Sequence, residues 1–265
     1  MVRGKPQRQG IELKKKHGQH FLKNQMFVLP MLEAVKLDDT ISVMEIGCGE
    51  GVLTSAILQS PCKQLKVFEI DSEWADYVQG RYGSDSRLSI TLNNILDVNW
   101  STLQSDQPWV LLANLPYQIT FPILHLVQQH RTMFLEGVVM VQEEVAQKIV
   151  KTTGRGFGYS SLFFQHYFDW KLLHKVPPEA FYPPPKVFSR LLYFKPKLQV
   201  DPIEKEEEFW KFIKLCFHQP RRTLRNNLVQ SHYDIAKLSD EILQKRAQQL
   251  NMSDFLDMWS LFHTS

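Results

Sequence analysis

A glycine-rich turn between a predicted strand and a predicted helix constrains this chain most. Residues 41–46 form an apolar run typical of a buried strand, residues 47–51 are Gly-Cys-Gly-Glu-Gly, and residues 52–58 have a helical pattern. Glycines permit tight backbone geometry and let a ligand approach the main chain. The stretch therefore predicts a βα unit of an α/β sheet, with a ligand at the end of its first strand.

The spacing of the glycines indicates which ligand. The dinucleotide fingerprint is GxGxxG, but here the third glycine comes one residue early, which weakens a nicotinamide interpretation. Glu45, two residues before Gly47, places a carboxylate beside the turn. A carboxylate there would repel a pyrophosphate but could help to hold a cationic or amine-bearing ligand, such as S-adenosylmethionine.

Two further predicted strands carry groups suited to an adenosyl ligand. The strand at 65–71 ends in acidic residues about 20 positions past the glycine turn, where a carboxylate can accept from both hydroxyls of a ribose. The strand at 87–92 leads to Asn93, Asn94 and Asp97. An amide or carboxylate at this point could meet the amino group of adenine.

The tetrapeptide Asn114-Leu115-Pro116-Tyr117 follows an apolar run at 109–113 that is typical of a parallel strand. Pro116 stiffens the turn, Asn114 offers an amide that both donates and accepts, and Tyr117 offers a flat ring. This set suits a planar base with an amino group. An ordinary strand-to-helix turn capped by Asn114 is the alternative.

The order of the patterns predicts a doubly wound α/β domain followed by a small all-α domain. At 265 residues, with 43% hydrophobic and 22% charged composition, the chain is long enough for both. Helical patterns at 204–217, 240–250 and 253–262 follow a predicted boundary near Lys197. We expect a basic arm at 1–24, a ligand-binding α/β domain at 25–197 and a helical domain at 198–265.

Membrane and metal chemistry are not expected. No apolar run approaches the roughly 20 residues that cross a bilayer, and no apolar signal core is present near the amino terminus, so we expect a cytoplasmic protein. The three cysteines have no CxxC spacing and the histidines are scattered, which predicts reduced thiols and no metal site.

The net charge of +3 is mild, but basic residues cluster at two places. We regard both clusters as candidate RNA-binding surfaces, although such runs are often only solvated. The clusters are Lys14, Lys15 and Lys16 in one segment, and Arg221, Arg222 and Arg225 in the other.

Six stretches in this order resemble the KsgA-type ribosomal RNA adenine dimethyltransferase family: GQHFL, MEIGCGEG, VFEID, NLPY, AFYPPPKVFS and FHQPRRTLRNNL. The resemblance implies a Rossmann-like class I methyltransferase sheet with helices on both faces and a monomeric enzyme. It also implies S-adenosyl-L-methionine as cofactor and small-subunit ribosomal RNA, or a pre-ribosomal particle, as partner. Residues 25–197 would then be the methyltransferase domain that binds the cofactor, and residues 198–265 a helical RNA-binding domain. The implied cofactor contacts come from His20, Leu22, Gly47, Gly49, Glu69, Asn94 and Asn114.

The sequence departs from the family pattern at three positions. His20 stands where the family usually has Asn, Cys48 where it has Pro, and Asn94 where it has Asp. An amide oxygen at Asn94 can still accept from adenine, so we expect cofactor binding to be retained with altered affinity. Asp97 is the rival for that role.

The resemblance also implies a mechanism. Tyr117 and Phe181 sandwich an adenine drawn out of its stack, while Asn114 and a backbone carbonyl of the turn accept from its amine. Because the cofactor already carries an excellent leaving group, orientation supplies most of the acceleration, without a catalytic thiol or metal.

Two other functions remain open from the sequence. A DNA adenine methyltransferase would share the cofactor turn and a related Asn/Asp-Pro-Pro-Tyr motif, but Leu115 and the helical second domain fit the ribosomal family better. A noncatalytic RNA-binding ribosome assembly factor would keep the basic surfaces with a degenerate cofactor site, and the departures at His20 and Asn94 leave that alternative in place.

Overall fold

The predicted parallel strands form one seven-stranded sheet in a computed structural model that describes residues 7–14, 18–23, 25–106 and 108–263. The strands of the described residues are β1 (Gln7–Arg8), β2 (Ile11–Glu12), β3 (Phe21–Leu22), β4 (Ser42–Ile46), β5 (Gln64–Glu69), β6 (Leu88–Leu92), β7 (Trp109–Asn114), β8 (Phe134–Gln142), β9 (Phe168–Val176), β10 (Phe181–Tyr182) and β11 (Ser189–Pro196). The α-helices are α1 (Leu29–Glu33), α2 (Val52–Leu58), α3 (Ser72–Tyr82), α4 (Thr120–Gln129), α5 (Glu143–Val150), α6 (Tyr159–Tyr167), α7 (Glu206–Cys216), α8 (Leu224–Leu228), α9 (Asp240–Gln244) and α10 (Met252–His263).

The strand order of the large sheet is β6-β5-β4-β7-β8-β11-β9. Strands β4 to β8 pair in parallel, and β11 runs antiparallel to β8. The order reverses between β4 and β7, and because crossover connections are right-handed, the reversal places helices on both faces of the sheet. A crevice therefore opens at the carboxyl ends of β4 and β7.

The central strands are buried on both faces, which explains why their sequences are continuous apolar runs. Val43 and Met44 of β4 and Val110, Leu111 and Leu112 of β7 are fully buried. The rigid sheet fixes where each strand ends, and therefore where the polar residues that follow each strand are placed.

The chain divides into two compact units. The first contains Met1–Ala146 and Trp170–Pro196, and the second contains Gln147–Asp169 and Lys197–Ser265. The predicted division assigned residues 147–169 to the first domain, but aromatic packing draws them into the second. Phe163 of α6 lies 4.9 Å from Trp210 of α7 between ring centroids, and Trp210 Nε1 donates to Tyr167 Oη at 2.8 Å.

Two other local predictions differ from the structure. The described part of the expected basic arm at 1–24 belongs to the first unit, because β3 pairs with β10. The helical pattern at 240–250 is interrupted: α9 ends at Gln244, Lys245 and Arg246 are extended, and the carbonyl of Lys245 accepts from Leu224 N. In the part of the chain that the structure describes, no helix combines the length and apolarity that crossing a membrane requires.

Candidate functional site

A cavity, partly open to solvent, lies at the carboxyl ends of β4, β5 and β7. The cavity is lined by eight of the nine residues that the sequence analysis assigns to catalysis or cofactor binding: His20, Leu22, Gly47, Gly49, Glu69, Asn94, Asn114 and Tyr117. The ninth, Phe181, does not line it.

The glycine turn forms one wall of the cavity because its backbone adopts left-handed conformations. Gly47 has φ +78°, and a Cβ added there would have no neighbour within 4 Å, so the space above it is open to a ligand. Gly49 has φ +49°, and a Cβ there would come within 2.5 Å of the Phe21 ring. A side chain at Gly47 or Gly49 would therefore be strained, and one at Gly49 would also displace the Phe21 ring.

Glu69 lies on the floor of the cavity and is held in one orientation. Its Oε1 accepts from the backbone N–H of Ile70 and of Asp71, both at 2.9 Å, and its Oε2 faces Gly49 N at 3.4 Å. Cys48 donates its thiol to the same Oε2 at 3.5 Å, a contact that the usual proline of the family could not make. Burial raises the pKa of the Cys48 thiol, which keeps it a donor.

Glu45 is fully buried beneath the same wall. Its Oε2 accepts from Thr54 Oγ1 at 2.7 Å, and its Oε1 has no hydrogen-bond partner among the described residues. Burial, reinforced by the charge of Glu69 and opposed by the Thr54 bond, raises the pKa of Glu45 to about 8. The carboxyl is therefore mostly protonated at neutral pH.

Asn94 lines the cavity, whereas its rival Asp97 does not. The Asn94 Oδ1 accepts from Leu96 N at 3.2 Å and starts a short 3₁₀ turn, while its Nδ2 donates to Asp97 Oδ2 at 2.9 Å. Asp97 thus fixes the Asn94 amide. The amide oxygen keeps one further lone pair for a ligand.

Asn114 and Tyr117 are joined to two distant segments at the mouth of the cavity. Asn114 Nδ2 donates to the carbonyl of His20 at 3.1 Å, and Tyr117 Oη is 2.6 Å from Ser189 Oγ. His20 Nδ1 lies 2.7 Å from the carbonyl of Pro183, so Nδ1 carries the proton, and its imidazole stacks on Tyr117 with centroids 5.6 Å apart. Three stretches far apart in the sequence therefore meet at one point.

Phe181 does not lie at the position expected for a residue that stacks on the substrate. Its side chain is fully buried, because β10 pairs with β3 so that Phe181 lies opposite Leu22 and joins the core cluster that contains Leu22 and Val176. The ring that stacks on Tyr117 belongs instead to His20. In this structure Phe181 contributes packing behind the cavity wall and does not form the expected sandwich.

Lys14 is also placed differently from the prediction. Its ammonium lies 2.6 Å from Asp71 Oδ1 and 2.7 Å from Glu73 Oε2, so it neutralises carboxylates of its own chain. The predictions for Lys15 and Lys16 lie outside the described residues.

The predicted arginine cluster lies in the second unit. Arg221 and Arg222 are exposed and precede α8, and Arg225, inside α8, pairs with Asp240. Of the three arginines, only Arg225 is therefore on a helix.

Some lining residues were not assigned a role from the sequence. Phe21, Ile70 and Trp74 contribute apolar surface to the cavity. A signal for two of them was present, since Phe21 lies between His20 and Leu22 and Ile70 follows Glu69 directly. Trp74 had no such signal, because it reaches the cavity from inside α3.

The chain is similar to known proteins over nearly its whole length. The model of the family described as Ribosomal RNA adenine dimethylase matches residues 10–263. A protein of Prosthecochloris aestuarii named Ribosomal RNA small subunit methyltransferase A is 34% identical over 252 residues, which cover 94% of each chain. A protein of the same name from Syntrophotalea carbinolica is also 34% identical, over 91% of this chain and 94% of the relative.

Two solved structures share the fold. A dimethyladenosine transferase from Plasmodium falciparum superposes with a TM-score of 0.76 at 23% identity, covering 92% of this chain and 98% of that one. The 23S rRNA methyltransferase ErmE superposes with a TM-score of 0.71 at 18% identity, covering 92% and 100%. On the evidence of the family match and of relatives aligned over nearly their whole length, this chain belongs to the ribosomal RNA adenine dimethylase family.

Proposed function

We propose that this protein transfers methyl groups from S-adenosyl-L-methionine to the exocyclic amine of adenines in small-subunit ribosomal RNA. The observation that carries the proposal is that the glycine turn and Glu69 share one cavity with Asn114 and Tyr117. A cofactor site and a base site at the same sheet edge bring a methyl donor and an amine together, which methyl transfer requires.

The residues present fit this cofactor. Glu69 offers a fixed carboxylate for the ribose hydroxyls, Asn94 an amide for the adenine, and Gly47 an open backbone beside which the methionine portion can lie. Glu45 Oε1 has no hydrogen-bond partner among the described residues, and an ammonium of the cofactor beside it would favour the ionised carboxylate and donate to it. When bound, the cofactor supplies an electrophilic methyl group on its sulfonium.

The chain's own residues orient the amine. Asn114 uses its amide nitrogen to hold the His20 carbonyl, so its amide oxygen is the acceptor offered to an amine hydrogen. A backbone carbonyl of the turn takes the second hydrogen. These acceptors would hold the amine toward the methyl group, and the proton that the amine loses would pass to solvent, so no strong general base is needed.

The base must leave its stack to reach this point. Tyr117 offers the stacking ring, and His20, which already stacks on Tyr117, shapes the entrance. Arg221 and Arg222 are exposed charges suited to phosphates, so ribosomal RNA or a pre-ribosomal particle is the partner. With that substrate, we propose that the protein acts as a monomer in the cytoplasm.

The test incubates the protein with radiolabelled cofactor and small-subunit particles that lack the modification. We expect label in adenines that digest to N6-methylated and N6,N6-dimethylated nucleosides. Particle binding without transfer, together with no cofactor binding in calorimetry, would overturn the proposal in favour of a noncatalytic assembly factor.

A further inference from the structure

Residues 7–14 and 18–23 form a folded segment, which we call the N-terminal strap. Strands β1 and β2 pair antiparallel, with Gln7 opposite Glu12. Leu13 follows and is buried against Phe21 and Trp74. The segment is therefore anchored by apolar burial on the first unit, and its basic residues have defined partners.

Two cations of the strap reach buried carboxylates. Arg8 Nε lies 2.5 Å from Glu50 Oε1, and the Glu50 side chain is only 6% exposed. Lys14 Nζ lies 2.6 Å from Asp71 Oδ1, and the Asp71 side chain is 0% exposed. A buried carboxylate that loses its partner is strongly unfavourable, so these pairs differ from ordinary surface pairs.

The two carboxylates belong to two different loops of the cavity. Glu50 lies inside the glycine turn, directly after Gly49. Asp71 follows β5, and its backbone N–H donates to Glu69 Oε1 at 2.9 Å. The strap therefore ties together the loop that forms the cavity wall and the loop that orients Glu69.

The same strap supplies part of the cavity lining. Lys14 N donates to Gln19 Oε1 at 2.9 Å, and Gln19 Nε2 donates to Asp71 Oδ2 at 3.1 Å. Residues 18–22 then run along the cavity, with the Phe21 ring against Gly49. The ion pairs at one end of the strap thus hold the lining at its other end.

We propose that Arg8 and Lys14 are positioning residues of the cofactor site, and that the strap they anchor sets how long the cofactor is retained. This inference rests on the proposed function, because it takes the cavity to hold S-adenosyl-L-methionine. Dimethylation uses two cofactor molecules in turn, so the product of the first transfer must leave before the second molecule enters. The strength of the two ion pairs sets the rate of that exchange.

The test measures cofactor binding by calorimetry and cofactor dissociation by stopped flow for Arg8→Met and Lys14→Met. We expect each to weaken affinity about tenfold, mostly through faster dissociation, because most affinity differences between closely related complexes lie in the dissociation rate. Hydrogen exchange at residues 47–51 and 69–73 should accelerate. The matched control is Lys23→Met, which removes a strap ammonium that bonds to the carbonyl of Glu179 instead.

A conservative variant guards against variants that are merely unfolded. Arg8→Lys keeps a positive charge opposite Glu50 and should keep most of the cofactor retention that Arg8→Met loses. The inference is overturned if Arg8→Met and Lys14→Met dissociate cofactor at the wild-type rate, or if Arg8→Lys dissociates it as fast as Arg8→Met. Glu69→Ala distinguishes a failure of this inference from a failure of the proposed cofactor site. If Glu69→Ala also binds cofactor with wild-type affinity, the proposed cofactor site itself is wrong.

The last part of the test measures binding to small-subunit particles. Lys14→Met should keep the wild-type salt dependence of particle binding, because its ammonium is engaged with Asp71 and Glu73. A flatter salt slope would return Lys14 to the RNA-binding surface and overturn its positioning role.

Discussion

At the scale of single residues, the mouth of the cavity depends on side chains that each have two tasks. Asn114 bonds to the carbonyl of His20, and Tyr117 bonds to Ser189. In the proposed function, Asn114 also offers its amide oxygen to the substrate and Tyr117 also offers its ring. Truncating either residue therefore removes both a substrate contact and a structural contact. Variants that separate these contacts are the informative ones.

Asn114→Ala should reduce single-turnover methylation roughly 100-fold, the effect of a small misplacement of reacting groups, with a modest loss of cofactor affinity. Tyr117→Ala should keep cofactor affinity and lose base stacking worth roughly 1–3 kcal/mol. Tyr117→Phe is the control, since it keeps the ring and removes only the hydroxyl contact to Ser189. Near-wild-type methylation by Asn114→Ala would place the chemistry elsewhere.

Glu45 makes stability depend on pH. Its pKa is about 8 in the folded protein against an ordinary value near 4.5, so between these pH values the folded state holds a proton that the unfolded state has released. Protonation therefore stabilises the fold below pH 4.5, and this contribution is lost as the pH rises to 8, at about 1.4 kcal/mol per pH unit. Denaturant unfolding of wild type and Glu45→Gln from pH 5 to 9 measures the difference.

In that pH series, the free energy of unfolding of Glu45→Gln should lack the additional fall with rising pH that Glu45 gives the wild type. Thr54→Val is a second check, because the Thr54 hydrogen bond lowers the pKa of Glu45 and its removal should move the pH window upward. Parallel pH profiles for wild type and Glu45→Gln would show that Glu45 is ionised in the fold.

At the scale of elements, the pairing of β10 with β3 joins the proline-rich segment to the cavity wall. Phe181 faces the core and supports Leu22, which lines the cavity. Phe181→Ala should therefore destabilise the fold by about 3–5 kcal/mol and weaken cofactor binding through Leu22. Thermal unfolding and calorimetry measure both, and Phe181→Leu, which keeps most of the volume, should be mild in each.

A different result would restore the stacking role of Phe181. If Phe181→Ala keeps its stability and cofactor affinity but loses turnover, the ring must reach the substrate in a conformation other than this one.

At the scale of the whole molecule, the cavity proposed to hold the cofactor and the arginines proposed to contact RNA belong to different units. The cavity residues belong to the first unit, and Arg221, Arg222 and Arg225 belong to the second. Replacing the three arginines with Ala should weaken particle binding and flatten its salt dependence by up to roughly one unit of slope per lost phosphate contact. Cofactor affinity should be unchanged.

Titration of small-subunit particles at several salt concentrations checks this, with calorimetry of the cofactor alongside. Arg225→Ala alone is the matched comparison, because Arg225 already pairs with Asp240 and should contribute less than Arg221 or Arg222. A wild-type salt slope for the triple variant would mean that these arginines are only solvated.

The sequence by itself determined the parts of this protein that depend on neighbouring residues. The glycine turn, the buried strands and the residues that follow them could be located because strand periodicity and glycine spacing are local signals. Parallel strands end at one edge of a sheet, so Gly47, Glu69, Asn94 and Asn114 could be predicted to meet there, and they line one cavity.

Only the tertiary structure decided what depends on segments that are distant in the chain. Phe181 turns into the core because it pairs with Leu22, Lys14 faces Asp71, and residues 147–169 join the second unit through aromatic packing on α7. A basic or aromatic residue has the same local pattern whether it meets solvent, a carboxylate or a core. Its partner is chosen by burial and charge pairing across the fold, which local periodicity does not encode.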